Sequence, residues 1–153
     1  MCDAASGRTA PPLPGVLSIV LANDRRELEH LGERIDRFAA DCRLPPDEAA
    51  RVNLILDELV TNTIKYGYDD RDAHQIHVTV EVKDDLLIVS VDDDGRPFNP
   101  LEVPAPALDL PIEERPVGGL GVFIVRSLAD VVEYRRQGTH NIVTLTKKLQ
   151  PHT

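Results

Sequence analysis

Tryptophan is absent, and aromatic residues of all kinds make up only 4% of the chain. Any core must therefore be aliphatic, built from Val, Leu and Ile. Cysteine is scarce too: Cys2 and Cys42 are the whole complement. Two cysteines exclude a disulfide framework, and no Cys-x-x-Cys or Cys/His spacing offers a zinc site. No apolar run is long enough to span a bilayer, and the N-terminus lacks the basic start and apolar stretch of a signal peptide. Basic residues are in deficit, with 17 Lys and Arg against 26 Asp and Glu, for a net charge of -9. Proteins that neutralise nucleic-acid phosphates need the opposite balance, and acidic charge disfavours anionic membrane. The expectation is a soluble, cytoplasmic protein with reduced thiols that contacts neither nucleic acid nor membrane directly. A local cluster of backbone N–H groups with Mg²⁺ can still hold a nucleotide against that global charge.

What is present suits one domain: 153 residues, 42% of them hydrophobic. Residues Met1–Pro14 are small, polar and Pro-rich and read as a flexible tail, leaving 15–150 as the domain. Val16–Leu21 reads as a strand. Asn23 or Asp24 is the expected N-cap of a first helix, with Leu28, Leu31, Ile35, Phe38 and Cys42 on one apolar face. Pro46, Asp47 and Glu48 open a second helix that should end near Gly67. The period then changes to two. Ile76, Val78, Val80 and Val82 alternate with polar residues, Lys83-Asp84-Asp85 turns, and Leu86–Val91 returns as a hairpin partner. Six prolines (Pro97, Pro100, Pro104, Pro106, Pro111 and Pro116) mark a long segment, about 96–118, of the kind that forms lids and binding loops. A third helix carries Val122, Val125, Leu128 and Ala129, and two strands, Val131–Arg136 and Ile142–Leu149, follow around a Gly138-Thr139 turn. Hairpin-joined strands with segregated helices predict an α+β two-layer sandwich, its mostly antiparallel sheet covered by three helices.

Three short patterns carry chemistry. Glu58 and Asn62, four apart, project from one face of the second helix. Carboxylate and amide oxygens are hard ligands of the kind Mg²⁺ accepts, and a carboxylate beside a nucleotide can act as a general base; a solvated Glu and a surface Asn fit the same spacing. Asp92-Asp93-Asp94-Gly95 crowds three carboxylates after an apolar run, which suits either an ordinary tight turn or an Asp accepting from an exocyclic amine. Gly118-Gly119-Leu120-Gly121 opens a helix, where bare backbone N–H groups attract phosphate, or where a hinge and cap would also use glycine. It is neither a P-loop nor a dinucleotide fingerprint.

Taken in order, the segments LDELVTNTIKYGY, VDDDGRPF and PVGGLGVFIVRSLAD resemble the N box and two glycine boxes of the Bergerat-fold (GHKL) ATPases. The short chain, the PFNP lid entry and the GGLGVFIVRSLAD wording look most like the anti-sigma-factor serine kinases. The resemblance covers roughly Val16 to Leu149. It implies that Glu58 is the catalytic base and that Asn62 binds the Mg²⁺ that bridges the ATP phosphates. It further implies that Asp93 accepts from the adenine amino group, that Gly95 lets the chain pass close to the base, and that Gly118, Gly119, Leu120 and Gly121 cradle the phosphates. Asn141 stands where the family often has a Thr that binds adenine through water, and Lys65 and Arg115 are candidate phosphate contacts. Pro97 and Val117 replace glycines of the two boxes and imply a stiffer lid.

Family members phosphorylate a serine of a small STAS-domain antagonist and bind a sigma factor in the alternative state. They commonly dimerise through the N-terminal region. The implied function is thus an ATP-dependent serine kinase and anti-sigma factor acting as a homodimer, involving Val16–Leu21 and an apolar stripe on the first helix wider than the sheet covers. The alternatives are a nucleotide-dependent binding module without kinase activity and a detached histidine-kinase catalytic domain. For the last, His30 lacks the Pro and the basic residue of a phosphoacceptor helix and reads as a partly exposed, structural residue; His74, His77, His140 and His152 form no metal spacing and read as surface residues.

Overall fold

The computed structural model describes residues 12–102 and 119–149. The expected tail up to residue 11, most of the expected lid and the last residues lie outside that set. The described chain runs β1 (Gly15–Ala22), α1 (Glu27–Asp41), α2 (Pro46–Tyr66), β2 (Gln75–Lys83), β3 (Leu86–Asp93), a short 3-10 turn (Pro100–Glu102), α3 (Gly119–Leu128), β4 (Val131–Gln137) and β5 (His140–Lys148). The five strands form one sheet in the order β1-β2-β3-β5-β4, every pair antiparallel. The predicted two-layer α+β sandwich is the observed architecture.

Period-two alternation decides which side of each strand meets the helices. Leu17, Ile19 and Leu21 on β1, Ile76 to Val82 at every second position on β2, Leu87, Val89 and Val91 on β3, and Val143 and Leu145 on β5 all face the core. Leu31, Ile35 and Phe38 of α1 and Val52, Ile55, Leu56, Leu59 and Val60 of α2 close it from the other layer. Among the described residues the buried core is aliphatic apart from Phe38 and Cys42. Asp84 takes φ 55° in the β2–β3 hairpin and Gly138 takes φ 59° in the β4–β5 hairpin, each supplying the left-handed residue a two-residue loop needs.

Four expectations are corrected. β3 continues through Asp92 and Asp93, which pair with His77 and Ile76, so Asp93 is a strand residue and not part of a turn; the neighbouring strands supply hydrogen-bond partners that outweigh its poor strand propensity. Helix α1 starts at Glu27 with Arg26 at the cap position and no side-chain cap. Asp24 instead accepts from the Arg26 backbone N–H at 2.9 Å, and Asn23 is drawn away to the α2–β2 connection, where its Oδ1 accepts from His74 N at 3.1 Å. The apolar stripe of α1 is covered: Leu31, Ile35, Phe38 and Cys42 are buried, and Leu28 is half-buried against the core. The exposed apolar residues nearest it in sequence are Val16 (65% exposed) and Val20 (51%), on the side of β1 that faces away from the helices. Finally, His74 is no isolated surface residue: it stacks on Tyr68 and meets two carboxylates.

Candidate nucleotide site

Helix α2 brings most of the polar candidates to one place. Its Pro46 start and its first-turn Asp47 and Glu48 favour the N-terminus, and Gly67 ends it, its N–H bonded to Thr63 O at 2.8 Å. Glu58 and Asn62 are half-buried one turn apart. Helix α3 meets α2 along this face. At Gly121 an added Cβ would fall 3.0 Å from Glu58 Cδ and closer still to its Oε2. The glycine at that position therefore makes room for the Glu58 carboxylate, beside the N-terminal turn of α3. Gly119 and Leu120 belong to that same turn, where N–H groups without intrahelical partners favour anions.

At the other end of the site, Asp93 is 7% exposed. Its Oδ1 accepts from Gly95 N at 2.9 Å and from Asn141 Nδ2 at 3.0 Å. Two N–H donors on one oxygen fix the rotation of the carboxylate. Its Oδ2 meets the Thr63 hydroxyl at 3.3 Å, and that hydroxyl also lies 3.1 Å from Leu59 O. A hydroxyl has a single proton to give, so Oδ2 retains lone pairs for an incoming donor. Gly95 is required by close approach of the backbone: an added Cβ would lie 2.7 Å from Gly67 O, and that carbonyl also accepts from Arg96 N at 2.8 Å.

Asn141, opposite Asp93 in the β3–β5 register, is 4% exposed. Its Oδ1 accepts from Tyr134 OH at 2.6 Å and Phe98 N at 3.2 Å. Its Nδ2 reaches Asp93 Oδ1 at 3.0 Å and Arg96 O at 2.8 Å, with Gly95 O at 3.4 Å. A primary amide offers two donors and two lone pairs, and here protein groups take all of them. Arg136 Nη1 donates to Gly95 O at 2.8 Å.

A third cluster borders the site. The Tyr68 and His74 rings stack with centroids 4.1 Å apart. His74 Nε2 lies 2.7 Å from Asp70 Oδ1 and Nδ1 3.2 Å from Asp94 Oδ1. The Asp70 carboxylate, aided by Asp94, raises the His74 pKa against the opposing effect of desolvation. Burial, reinforced by the charges of Asp93 and Asp94, pushes the Tyr68 hydroxyl well above its ordinary range.

The fold thus gathers Glu58, Asn62, Asp93, Gly95, Gly121 and Asn141 around α2 and the ends of β3 and α3. Lys65 is exposed in the last turn of α2 and is bonded to none of them. Arg115 and Gly118 lie outside the described residues. Sequence reading missed Thr63, Gly67, Tyr134, Arg136 and the Tyr68–His74 pair. Strand alternation signals two of these, since Tyr134 and Arg136 share a face of β4 and the hairpin sets Arg136 opposite Asn141. No group of three or more His, Cys, Asp or Glu is placed to hold a metal among the described residues. A cavity of about 580 Å³, bordered by Val20, Ala22, His74, His77, Asp94 and His140, contains no candidate residue.

The sequence profile described as the histidine kinase-like ATPase domain matches residues 21–147. The serine/threonine-protein kinase BtrW of Bordetella bronchiseptica is 25% identical over 82% of this chain and 84% of its own length. The serine-protein kinase RsbW of Listeria monocytogenes is 29% identical over 61% of this chain and 62% of its own. The anti-sigma F factor of Bacillus subtilis is 26% identical over 62% of this chain and 65% of its own. Among solved structures, the RsbU and RsbW domains of a Mycobacterium tuberculosis protein superpose with a TM-score of 0.66 at 16% identity, covering 90% of this chain and 34% of that one. This chain is similar in sequence to RsbW, and it belongs to the family of histidine kinase-like ATPase domains.

Proposed function

We propose that this chain is an ATP-dependent serine protein kinase and anti-sigma factor of a partner-switching system, whose phosphoacceptor is a serine on a STAS-domain antagonist. One observation carries the reading: the Glu58 carboxylate lies against Gly121 in the first turn of α3, so a potential base and a phosphate-attracting helix terminus adjoin. Relatives named as serine-protein kinases and anti-sigma factors support it. Asp93 Oδ2, buried and still able to accept, suits the adenine amino group. Asn62 supplies a hard amide oxygen, and with the ATP phosphates and water it would hold Mg²⁺ as octahedral oxygen ligation requires. The bound ion would offset phosphate charge. Glu58 would take the proton of the serine hydroxyl as that oxygen bonds to the γ-phosphorus, while the bond from the γ-phosphorus to the β–γ bridging oxygen breaks and ADP leaves. A sigma factor is the alternative partner. The exposed Val16 and Val20 on β1 support a homodimer that uses that face of the edge strand.

The test is transfer of labelled γ-phosphate from ATP to a STAS-domain protein of the same cell. Transfer should occur with the wild type and fall by roughly 100-fold or more in Glu58→Gln, while ATP binding persists. A wild type that binds ATP but labels no such partner is a nucleotide-dependent binding module and not a kinase.

A further inference from the structure

We infer that Tyr134 and Arg136, on the outer strand β4, are positioning residues for purine recognition. They act through Asn141 and the Gly95 carbonyl to set Asp93 and the segment after it. The inference rests on the proposed role of Asp93 toward the adenine amino group.

The geometry is a chain of saturated bonds. Tyr134 OH and Phe98 N occupy Asn141 Oδ1 at 2.6 and 3.2 Å. With its oxygen so held, the amide must turn its Nδ2 to Asp93 Oδ1 and Arg96 O, at 3.0 and 2.8 Å. The same Asp93 oxygen accepts from Gly95 N at 2.9 Å, and Gly95 O is held by Arg136 Nη1 at 2.8 Å. Residues 93–98 are thus tied at both ends to the β4–β5 hairpin, and the Pro100–Glu102 turn that follows packs on β4.

The tie has a chemical consequence. Reversing the Asn141 amide would bring its carbonyl oxygen against the Asp93 carboxylate and the Arg96 carbonyl, an unfavourable meeting of acceptors. Tyr134 OH helps exclude that reversal because it donates to Oδ1, and could donate nothing to an amide nitrogen that is itself a donor. Asn141 therefore does not reach for water on behalf of a base. It keeps Asp93 Oδ1 engaged so that Oδ2 is the oxygen presented. A carboxylate oxygen so presented takes a hydrogen bond from a 6-amino group and meets a 6-oxo group acceptor to acceptor, which favours a 6-amino purine over a 6-oxo purine.

The readout that separates positioning from plain stabilisation is base discrimination. Dissociation constants for ATP and inosine triphosphate would be measured by calorimetry on the full chain, for the wild type, Tyr134→Phe and Arg136→Met, with melting temperatures alongside. Tyr134→Phe removes one oxygen from a half-buried side chain on an outer strand and should fold; Arg136→Met is the second, independent probe. The wild type should prefer ATP, and each variant should lose about fivefold of that preference, the scale of one hydrogen bond, by weakening ATP binding more than inosine triphosphate binding. An unchanged preference in both variants overturns the inference, whatever their melting temperatures. A wild type that binds both nucleotides equally overturns instead the assignment of Asp93 to the amino group.

Discussion

Gly121 and Gly95 are both glycines for steric reasons, but their neighbours differ. At Gly95 the obstacle is backbone, the Gly67 carbonyl oxygen at 2.7 Å, which cannot step aside. At Gly121 it is the end of the half-buried Glu58 side chain, which can rotate. Gly121→Ala should therefore leave the melting temperature nearly unchanged while swinging Glu58 out of line. Phosphate transfer should fall ~100-fold, the cost of misplacing a reacting group by about an ångström, with ATP binding affected far less. A quantitative transfer assay beside a melting curve checks this; equal losses in both would mean that the glycine serves only packing. The residue scale is also where sequence reading was most uneven. Glu58 and Asn62 were legible because helical spacing alone puts them on one face. The bonding of Asn141 was not, because its partners at positions 93, 96, 98 and 134 come together only when three strands pair.

At the scale of elements, two charged contacts tie helix and sheet together. Glu48 opens α2 with its side chain only 5% exposed, and its Oε1 accepts from Arg51 at 2.5 Å and from Lys147 of β5 at 2.9 Å. Lys147→Met removes one of the two cations, and one charge-assisted hydrogen bond, from a buried carboxylate that keeps Arg51. It should thus destabilise the fold by about 2 kcal/mol in urea unfolding, and Glu48→Leu added to it should recover much of that loss. The second contact is the α2–β2 connection, where His74 bridges Asp70 and Asp94. The raised His74 pKa means that the folded state binds its proton more tightly than the unfolded chain. Its contribution is therefore complete below the ordinary value of 6.5 and is lost as pH rises through the elevated one. The stability difference between wild type and His74→Gln should be largest near about pH 5.5 and shrink toward about pH 8.5, as read from urea midpoints across that range; a gap independent of pH would assign His74 to stacking on Tyr68 alone. The elements themselves were largely evident from periodicity. The ends were not: β3 runs two residues past its apolar pattern because pairing with β2 and β5 gives Asp92 and Asp93 backbone partners that composition does not disclose.

For the whole molecule, one layer of helices covers one face of the sheet, and the opposite face carries Val16 and Val20 in the open on an edge strand. Sedimentation at micromolar concentration should show a dimer for the wild type and a monomer for Val16→Glu/Val20→Glu. Both should melt at similar temperatures under conditions that keep each monomeric, since neither side chain belongs to the core. A monomeric wild type would leave that face without its proposed role. Sequence by itself determined the class of architecture, the aliphatic core, the face of α2 that bears Glu58 and Asn62, and the family resemblance, since each depends on spacing within one segment or on the order of segments along the chain. Tertiary structure alone decided which face of β1 is left exposed, that the stripe of α1 is covered, that Gly121 abuts Glu58, and that Asn141 holds Asp93. These are meetings of residues tens of positions apart, and strand register and helix packing decide them by which contacts can be satisfied together, a condition that no local pattern contains.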